Sequence, residues 1–320
     1  SVAIGFTAQT GGIDSVAIGN QAQATDNGGF ALGSVSQAIG NNSLALGTTA
    51  KALFRKGTAV GADTRTGGEF ATAVGNGALA NANFATAIGG AANAVPTSNS
   101  YPESVSALGV GSLAIGSDGV KGAIARGINS IALGGQSNAV GDSSIAMGGQ
   151  SVAGSANAVA IGLGSNVTGA VGGVALGSGS VVSALSTGTG YLTNQNAPTL
   201  GAVAVGGRRI QNLADGALDT DAVTVAQLKD VNNRAVGNTA ALGGGAAYDP
   251  ATDTYTQPIY NVTTNPSTAT KTGNVNTVAA ALTGLDTAVN QAITFTGNSG
   301  TSAQKLGSTL NIKGGATAAS

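Results

Sequence analysis

The chain has 320 residues, of which 53 are glycine, 8% charged and 3% aromatic, with a net charge of −1 and a pI near 5.2. Cysteine and histidine are both absent, which excludes disulfides, a zinc site of the usual Cys/His kind, and a histidine base or triad. The weak net charge argues against a nucleic-acid partner, which needs a basic surface, and the scarcity of charge sets the chain apart from hydrophilic disordered sequences.

The opening Ser1-Val2-Ala3-Ile4-Gly5 has no basic leader before it and starts in mid-pattern, so the sequence reads as an internal stretch of a longer chain. From Ser143 to Gly207 no residue is charged. Gly, Ser, Asn and Thr interrupt that stretch every few residues, and no run of ~18 apolar residues forms, so a membrane helix is not expected there.

An internal repeat organises residues 1–206. Ser-Val-Ala-Ile-Gly5, Ser-Val-Ala-Ile-Gly19, Gly-Phe-Ala-Leu-Gly33 and Ser-Leu-Ala-Leu-Gly47 begin a series that continues at Gly61, Gly75 and Gly89, each glycine 14 residues after the last. After an insertion around Pro96–Pro102 the pattern resumes at Gly109 and Gly116, then at Gly134, Gly148, Gly162 and Gly177. A last copy, Ala-Val-Ala-Val-Gly206, follows an insertion that includes Tyr191 and Pro198. Half-period echoes at Ala38-Ile39-Gly40 and Ala139-Val140-Gly141 divide each unit into two similar halves.

Fourteen residues are too few for a helical repeat, which takes ~33–47. Two strands of about five residues and two tight turns fit. In Ser15-Val16-Ala17-Ile18-Gly19, Val16 and Ile18 share one face and Ala17 takes the other. Gly and Asn at the corners supply left-handed backbone. Coils stacked at strand spacing give a β-solenoid; roughly fifteen of them at ~4.8 Å make a rod of about 70 Å. So thin a coil, with a core of Ala, Val, Ile and Leu, leaves one apolar face bare, and copies are expected to close over it in a cyclic assembly. The alternative is a monomeric solenoid.

The composition changes after Gly206. Arg208-Arg209-Ile210-Gln211-Asn212-Leu213-Ala214-Asp215-Gly216 leads to Asp219-Thr220-Asp221-Ala222-Val223-Thr224-Val225-Ala226-Gln227-Leu228, which reads as a capped helix start. Leu228, Val231, Ala235, Asn238 and Leu242 then follow at spacings of 3, 4, 3 and 4, a heptad seam with Val231 and Asn238 at d. Gly243-Gly244-Gly245 stops the helix. Residues Tyr248 to Tyr260, with Pro250 and Pro258, predict a short β element. Val275, Val278, Leu282, Leu285 and Val289 repeat the heptad spacing, with Gly284 a local weakness. From Ile293 to Ile312 the pattern is strand-like again, the opening of a further module.

These residues carry a resemblance. The Ser-Val-Ala-Ile-Gly repeats resemble the YadA-like head of trimeric autotransporter adhesins, and 208–228 resembles that family's neck; together they cover about residues 1–231. The resemblance implies a mainly β fold: a left-handed parallel β-roll as a homotrimer, then a neck, a short trimeric coiled coil and a small β-rich stalk module. The chain divides accordingly into a head (1–206), neck (207–231), short coiled coil (232–242), β-rich connector (243–274), coiled-coil helix (275–291) and the start of a stalk module (292–320). It also implies display on a Gram-negative outer membrane through a C-terminal anchor outside this sequence. The implied partners are host extracellular-matrix proteins, namely collagen, fibronectin or laminin. The outward surface around Ser15, Val16, Ala17, Ile18 and Gly19 and their copies is the candidate ligand face, and Arg208 and Arg209 are expected to tie the neck to a neighbouring chain's roll. Three Asn238 amides around one axis would converge their NH₂ donors on an anion, as the family's stalks resemble. The other reading of Asn238 is a helix end facing solvent.

Catalysis needs positioned acids, bases or nucleophiles. The chain has only two glutamates, Glu69 and Glu103, no phosphate-loop Gly-Lys pair, and no glycines in the strand-to-helix setting of a nucleotide loop; no enzyme, cofactor or metal site is expected. Asp118 reads as a turn aspartate rather than a calcium ligand, and Asp63, Arg65 and Glu69 as a solvated edge rather than a ligand site; Phe6, Phe30, Phe54, Phe70 and Phe84 read as core or turn packing, with exposed contact residues the alternative. A multivalent adhesin is the leading function. The alternatives are a purely structural trimeric fibre such as a phage tail-fibre segment, and an ice-binding solenoid, for which the threonines lack a fixed repeat position.

Overall fold

The computed structural model describes residues 1–90, 104–184, 200–249, 251–265, 267–271, 274–297 and 300–311. The insertion around Pro96–Pro102, the one with Tyr191 and Pro198, and Glu103, Pro250 and Ile312 lie outside the described residues. The chain divides into two compact units, Ser1–Arg209 and Ile210–Ser320.

The first unit is a β-solenoid. In its second coil a three-residue strand, Val16–Ile18, turns through Gly19 to Gln21 into a two-residue strand, Gln23–Ala24, and a second turn around Asn27 and Gly28 leads to the next coil. The three-residue strands form one parallel sheet of thirteen, here sheet I, and the two-residue strands a parallel sheet of twelve, sheet II. Each strand pairs with its counterpart one coil on: Val2 opposes Val16, then Phe30, then Leu44, and Ala3 opposes Ala17, Ala31 and Ala45. A thirteen-strand stack rises roughly 58 Å at ~4.8 Å per step. The expected fifteen coils counted Gly109 as a coil of its own. It instead follows the sheet II strand Ser106–Ala107, as Gly40 follows Gln37–Ala38, and shares its coil with Gly89.

Of the expected Ala, Val, Ile and Leu core, the interior is mostly Ala, with Ser and Thr beside it. Four side chains per coil point inward, and in the second coil these are Ser15, Ala17, Ala22 and Ala24, all fully buried. The turns hold the two sheets so close that the space between them accepts a layer of methyl and hydroxymethyl groups. Val167 and Val182 enter it where Gly173 lies opposite, a Cβ on which would approach their methyls to 2.9 and 3.1 Å. Buried hydroxyls after the sheet I corner donate to the carbonyl three residues back: Ser36 to Gly33 at 2.8 Å, Thr64 to Gly61 at 2.7 Å and Ser151 to Gly148 at 2.8 Å. This satisfies groups that burial would otherwise penalise.

The glycine column marks a close approach between successive coils. Gly47 has φ +138°, and a Cβ there would lie 2.4 Å from the carbonyl oxygen of Gly61 in the next coil. Two residues later the turn needs left-handed backbone, which Gln21, Thr49 and Asp63 all supply.

The second unit begins with an extended neck and helix α1, Val225–Ala241, which runs unbroken through the expected boundary at 231. Two hairpins follow, Ala247–Asp249 with Thr254–Thr256 and Thr263–Asn265 with Thr270–Lys271. Helix α2, Val278–Val289, starts later than the heptad spacing predicts. Val275 exchanges backbone hydrogen bonds with Tyr260 instead, and Thr277 caps the helix by accepting from the Ala280 amide at 3.1 Å. Gly284 and Ala288 are the buried residues of α2, which packs on the strand Thr263–Asn265; close approach there accounts for a glycine inside a helix. A last hairpin pairs Ile293–Gly297 with Gly300–Gln304.

Candidate functional site

The two sheets of the roll present different outward faces. On sheet I the outward pair is apolar in most coils: Val16 and Ile18, Phe30 and Leu32, Leu44 and Leu46. On sheet II the corresponding positions are mostly polar, with Gln23, Gln37, Lys51 and Arg65 in register on successive strands. Of the five residues predicted to form the ligand face, Ser15 and Ala17 are interior and sealed from any ligand. Gly19 forms the corner, and Val16 and Ile18 alone project outward, half-buried, on the apolar sheet. The sequence pattern shows two alternating faces but does not mark which is inside.

None of the five phenylalanines of the roll fills the coil interior. Phe30 lies on the sheet I face, while Phe54, Phe70 and Phe84 stand on the turn from sheet II to sheet I. In the predicted edge, Asp63 accepts from the Thr49 hydroxyl, Glu69 pairs with Arg55 at 3.1 Å, and Arg65 sits between Lys51 and Leu79 on sheet II.

Asp118 anchors a small excursion closed by an antiparallel bridge between Ser117 and Gly122. Its Oδ1 accepts from the amides of Val120 and Lys121 at 2.9 and 2.7 Å, and its Oδ2 from the Gln136 side chain at 2.5 Å. The Gln136 bond, then the two amides, hold its pKa at about 2, below the ordinary 3.8. A carboxylate with a depressed folded-state pKa stabilises fully above its unfolded value, and the contribution disappears as pH falls through the folded one. Acidification from pH 4 to pH 2 is therefore expected to loosen this excursion, read as faster amide exchange at Val120 and Lys121, and Asp118→Asn is expected to remove that pH dependence.

Arg208 closes the roll from within its own chain. Its guanidinium donates to the carbonyls of Ser178 at 2.7 Å and Val205 at 2.9 Å and to the Ser180 hydroxyl at 3.2 Å, lying over Gly177, where a Cβ would meet it at 2.8 Å. Arg208 thus caps the last coils of its own chain, while Arg209 is exposed.

In the neck, Gln227 does what the sequence reading did not assign to it. Its amide accepts from the backbone of Thr224 and of Gly216, both at 3.1 Å, and donates to the Gly216 carbonyl at 3.0 Å. Thr224 returns the cap, its hydroxyl oxygen accepting from the Gln227 backbone N–H at 3.2 Å, and its hydroxyl donates to Asp215 at 2.6 Å. The Thr-x-x-Gln spacing of a capping box was the available signal. Asp221 accepts from the Ala217 and Leu218 amides, both at 3.0 Å, which lowers its pKa.

This well-bonded neck and helix leave their apolar side chains bare. Helix α1 has no buried residue, with Leu228 61% and Val231 62% exposed. Ile210, Leu213, Leu218, Val223 and Val225 are also exposed. Asn238 is exposed on the same seam, between the half-buried Ala235 and the exposed Leu242.

Comparison with known proteins agrees with this division of the chain. A family model described as the YadA head domain repeat matches residues 1–20, 11–36, 38–64, 67–92, 125–151 and 139–165. A second, for the coiled stalk of trimeric autotransporter adhesins, matches residues 209–251. The trimeric autotransporter adhesin AtaA of Acinetobacter sp. (strain Tol 5) is 49% identical over 79 residues, which is 22% of this chain and 2% of AtaA. Among solved structures, the collagen-binding domain of the Yersinia adhesin YadA aligns over 70% of this chain and 86% of its own, at 26% identity and a TM-score of 0.27. A C-terminal YadA-like domain from Burkholderia pseudomallei aligns over 44% of this chain and 66% of its own, at 28% identity and a TM-score of 0.23. On the head repeats, the stalk match and the local identity to AtaA, the chain belongs to the YadA-like trimeric autotransporter adhesins.

Proposed function

We propose that this chain forms the outward rod of a homotrimeric adhesin on a Gram-negative cell surface and binds host extracellular-matrix proteins: collagen, fibronectin or laminin. The observation that carries the reading is the asymmetry of the roll. Sheet I repeats an apolar face that one chain leaves uncovered, and sheet II repeats a mostly polar one. Three copies closing on sheet I bury the former and turn the latter outward. Each coil then offers a similar weak contact, and repetition along the rod and around the axis converts weak contacts into avidity. Matrix binding falls on sheet II and the turns, and the copies of Val16 and Ile18 serve assembly.

A solid-phase screen of the purified trimer against collagen, fibronectin and laminin tests this. Binding to at least one, reduced gradually as successive sheet II positions are changed, supports it. Loss of all matrix binding through one substitution that leaves the trimer intact contradicts the distributed mechanism.

Asn238 belongs to the same reading. On the seam of three α1 helices its amides face the axis and hold an anion or water, a polar layer that lowers stability and fixes register. Asn238→Val is expected to raise the melting temperature and broaden the oligomer distribution, checked by calorimetry and sedimentation. No change in either would place Asn238 in solvent.

A further inference from the structure

We propose that the turn column around Phe84 is a binding site for a sulfated polysaccharide, a ligand class separate from the matrix proteins and confined to one place on the roll. Of the six lysines and arginines that precede Gly206, four lie within fifteen residues: Lys51, Arg55, Lys56 and Arg65. Lys51 and Arg65 neighbour each other on the outward face of sheet II. Arg55 and Lys56 stand on the adjoining turn beside Phe70, the guanidinium carbon 4.9 Å and the ammonium 5.3 Å from the ring centroid. Glu69 holds Arg55 at 3.1 Å, with both side chains about half exposed.

The aromatic part is a ladder. Phe70 and Phe84 occupy the same position in successive coils, their ring centroids 5.2 Å apart and their planes 7° from parallel. Phe84 is 60% exposed. The next coil places Gly111 at this position, its amide bonded to the Asn83 carbonyl, so no side chain of the column covers the far side of the Phe84 ring. Phe70 and Phe84 adopt left-handed backbone, with φ of 57° and 61°, where other coils use Asn42, Asn129 or Gly28. Bulky residues are disfavoured there, and neither ring contributes to the coil interior. Folding therefore does not explain the two aromatics.

The cluster matches a rigid polyanion built of rings. A pyranose C–H face stacks on Phe84, and sulfates accept charge-assisted hydrogen bonds from Lys56, Lys51 and Arg55. An acidic peptide satisfies the cations but offers no ring to the aromatic platform.

The test is titration of the full chain with a heparin-derived dodecasaccharide, its fully desulfated counterpart, and polyglutamate and an oligodeoxynucleotide of matched charge. The sulfated sugar is expected to bind with a strong salt dependence, and Lys51→Gln with Lys56→Gln to weaken it by about tenfold or more. Phe84→Asn, which introduces the residue type already present at position 42, is expected to weaken binding several-fold with the salt dependence and melting temperature preserved. Absence of binding by the sulfated sugar, equal binding by the desulfated sugar, polyglutamate or the oligonucleotide, or indifference to Phe84→Asn overturns the proposal.

Discussion

Gly47→Ala is expected to destabilise the roll by at least ~3 kcal/mol, because it combines a strained backbone with a clash that nothing can relieve. At φ +138° an alanine is already disfavoured, and its Cβ would lie 2.4 Å from the carbonyl oxygen of Gly61. The obstacle is backbone in the next coil, itself fixed by parallel pairing on both sides, so relief requires opening the ladder. Gly179→Ala is the contrast. Its φ of +69° is also left-handed, but no atom of the described residues lies within 4 Å of the added Cβ, and the cost is that of the conformation alone, ~1–2 kcal/mol. Calorimetry of the two variants at equal concentration checks the difference. Similar melting temperatures would mean that the glycine column is conformational and not a packing requirement.

The second large effect is expected at the seam of α1. Leu228→Ser with Val231→Ser removes two of the exposed apolar side chains that association would cover. If each loses ~1.5–3 kcal/mol of burial per chain, three chains together lose roughly 9–18 kcal/mol. Sedimentation equilibrium is expected to show a shift toward smaller species at micromolar concentration, with loss of helical circular dichroism, since a 17-residue helix is marginal alone. Lys229→Ser, off the seam, is expected to leave both unchanged.

The period of the roll was legible because glycine is the one residue that fits where Gly5, Gly19 and their copies stack, so the backbone geometry recurs in the letters. The two faces of each strand were legible from alternation. The occupant of the interior was not: Val16 and Ile18 are more hydrophobic than Ala17, and hydrophobicity alone assigns them to the core. The thickness of the coil reverses that assignment, and thickness is set by turn geometry, not by composition. The heptad of α1 was readable because Leu228, Val231 and Ala235 all lie inside the helix; the same spacing misled at Val275, which bonds to Tyr260 across the connector. The bonds of Arg208 to Ser178 and Val205 depend on a fold-back that linear spacing does not encode. The cationic-aromatic turn escaped notice because Arg55, Phe70 and Phe84 are fourteen or more residues apart and meet only when coils stack.

If identical copies cover one chain's sheet I face and α1 seam, folding and association are one event. Melting followed by circular dichroism across a hundredfold range of protein concentration, with sedimentation equilibrium on the same samples, tests it most directly. The expected result is a trimer throughout the folded baseline and a melting temperature that rises with concentration, as linkage requires when the folded state is oligomeric. A folded, stable monomer at micromolar concentration, melting at a temperature independent of concentration, would contradict it.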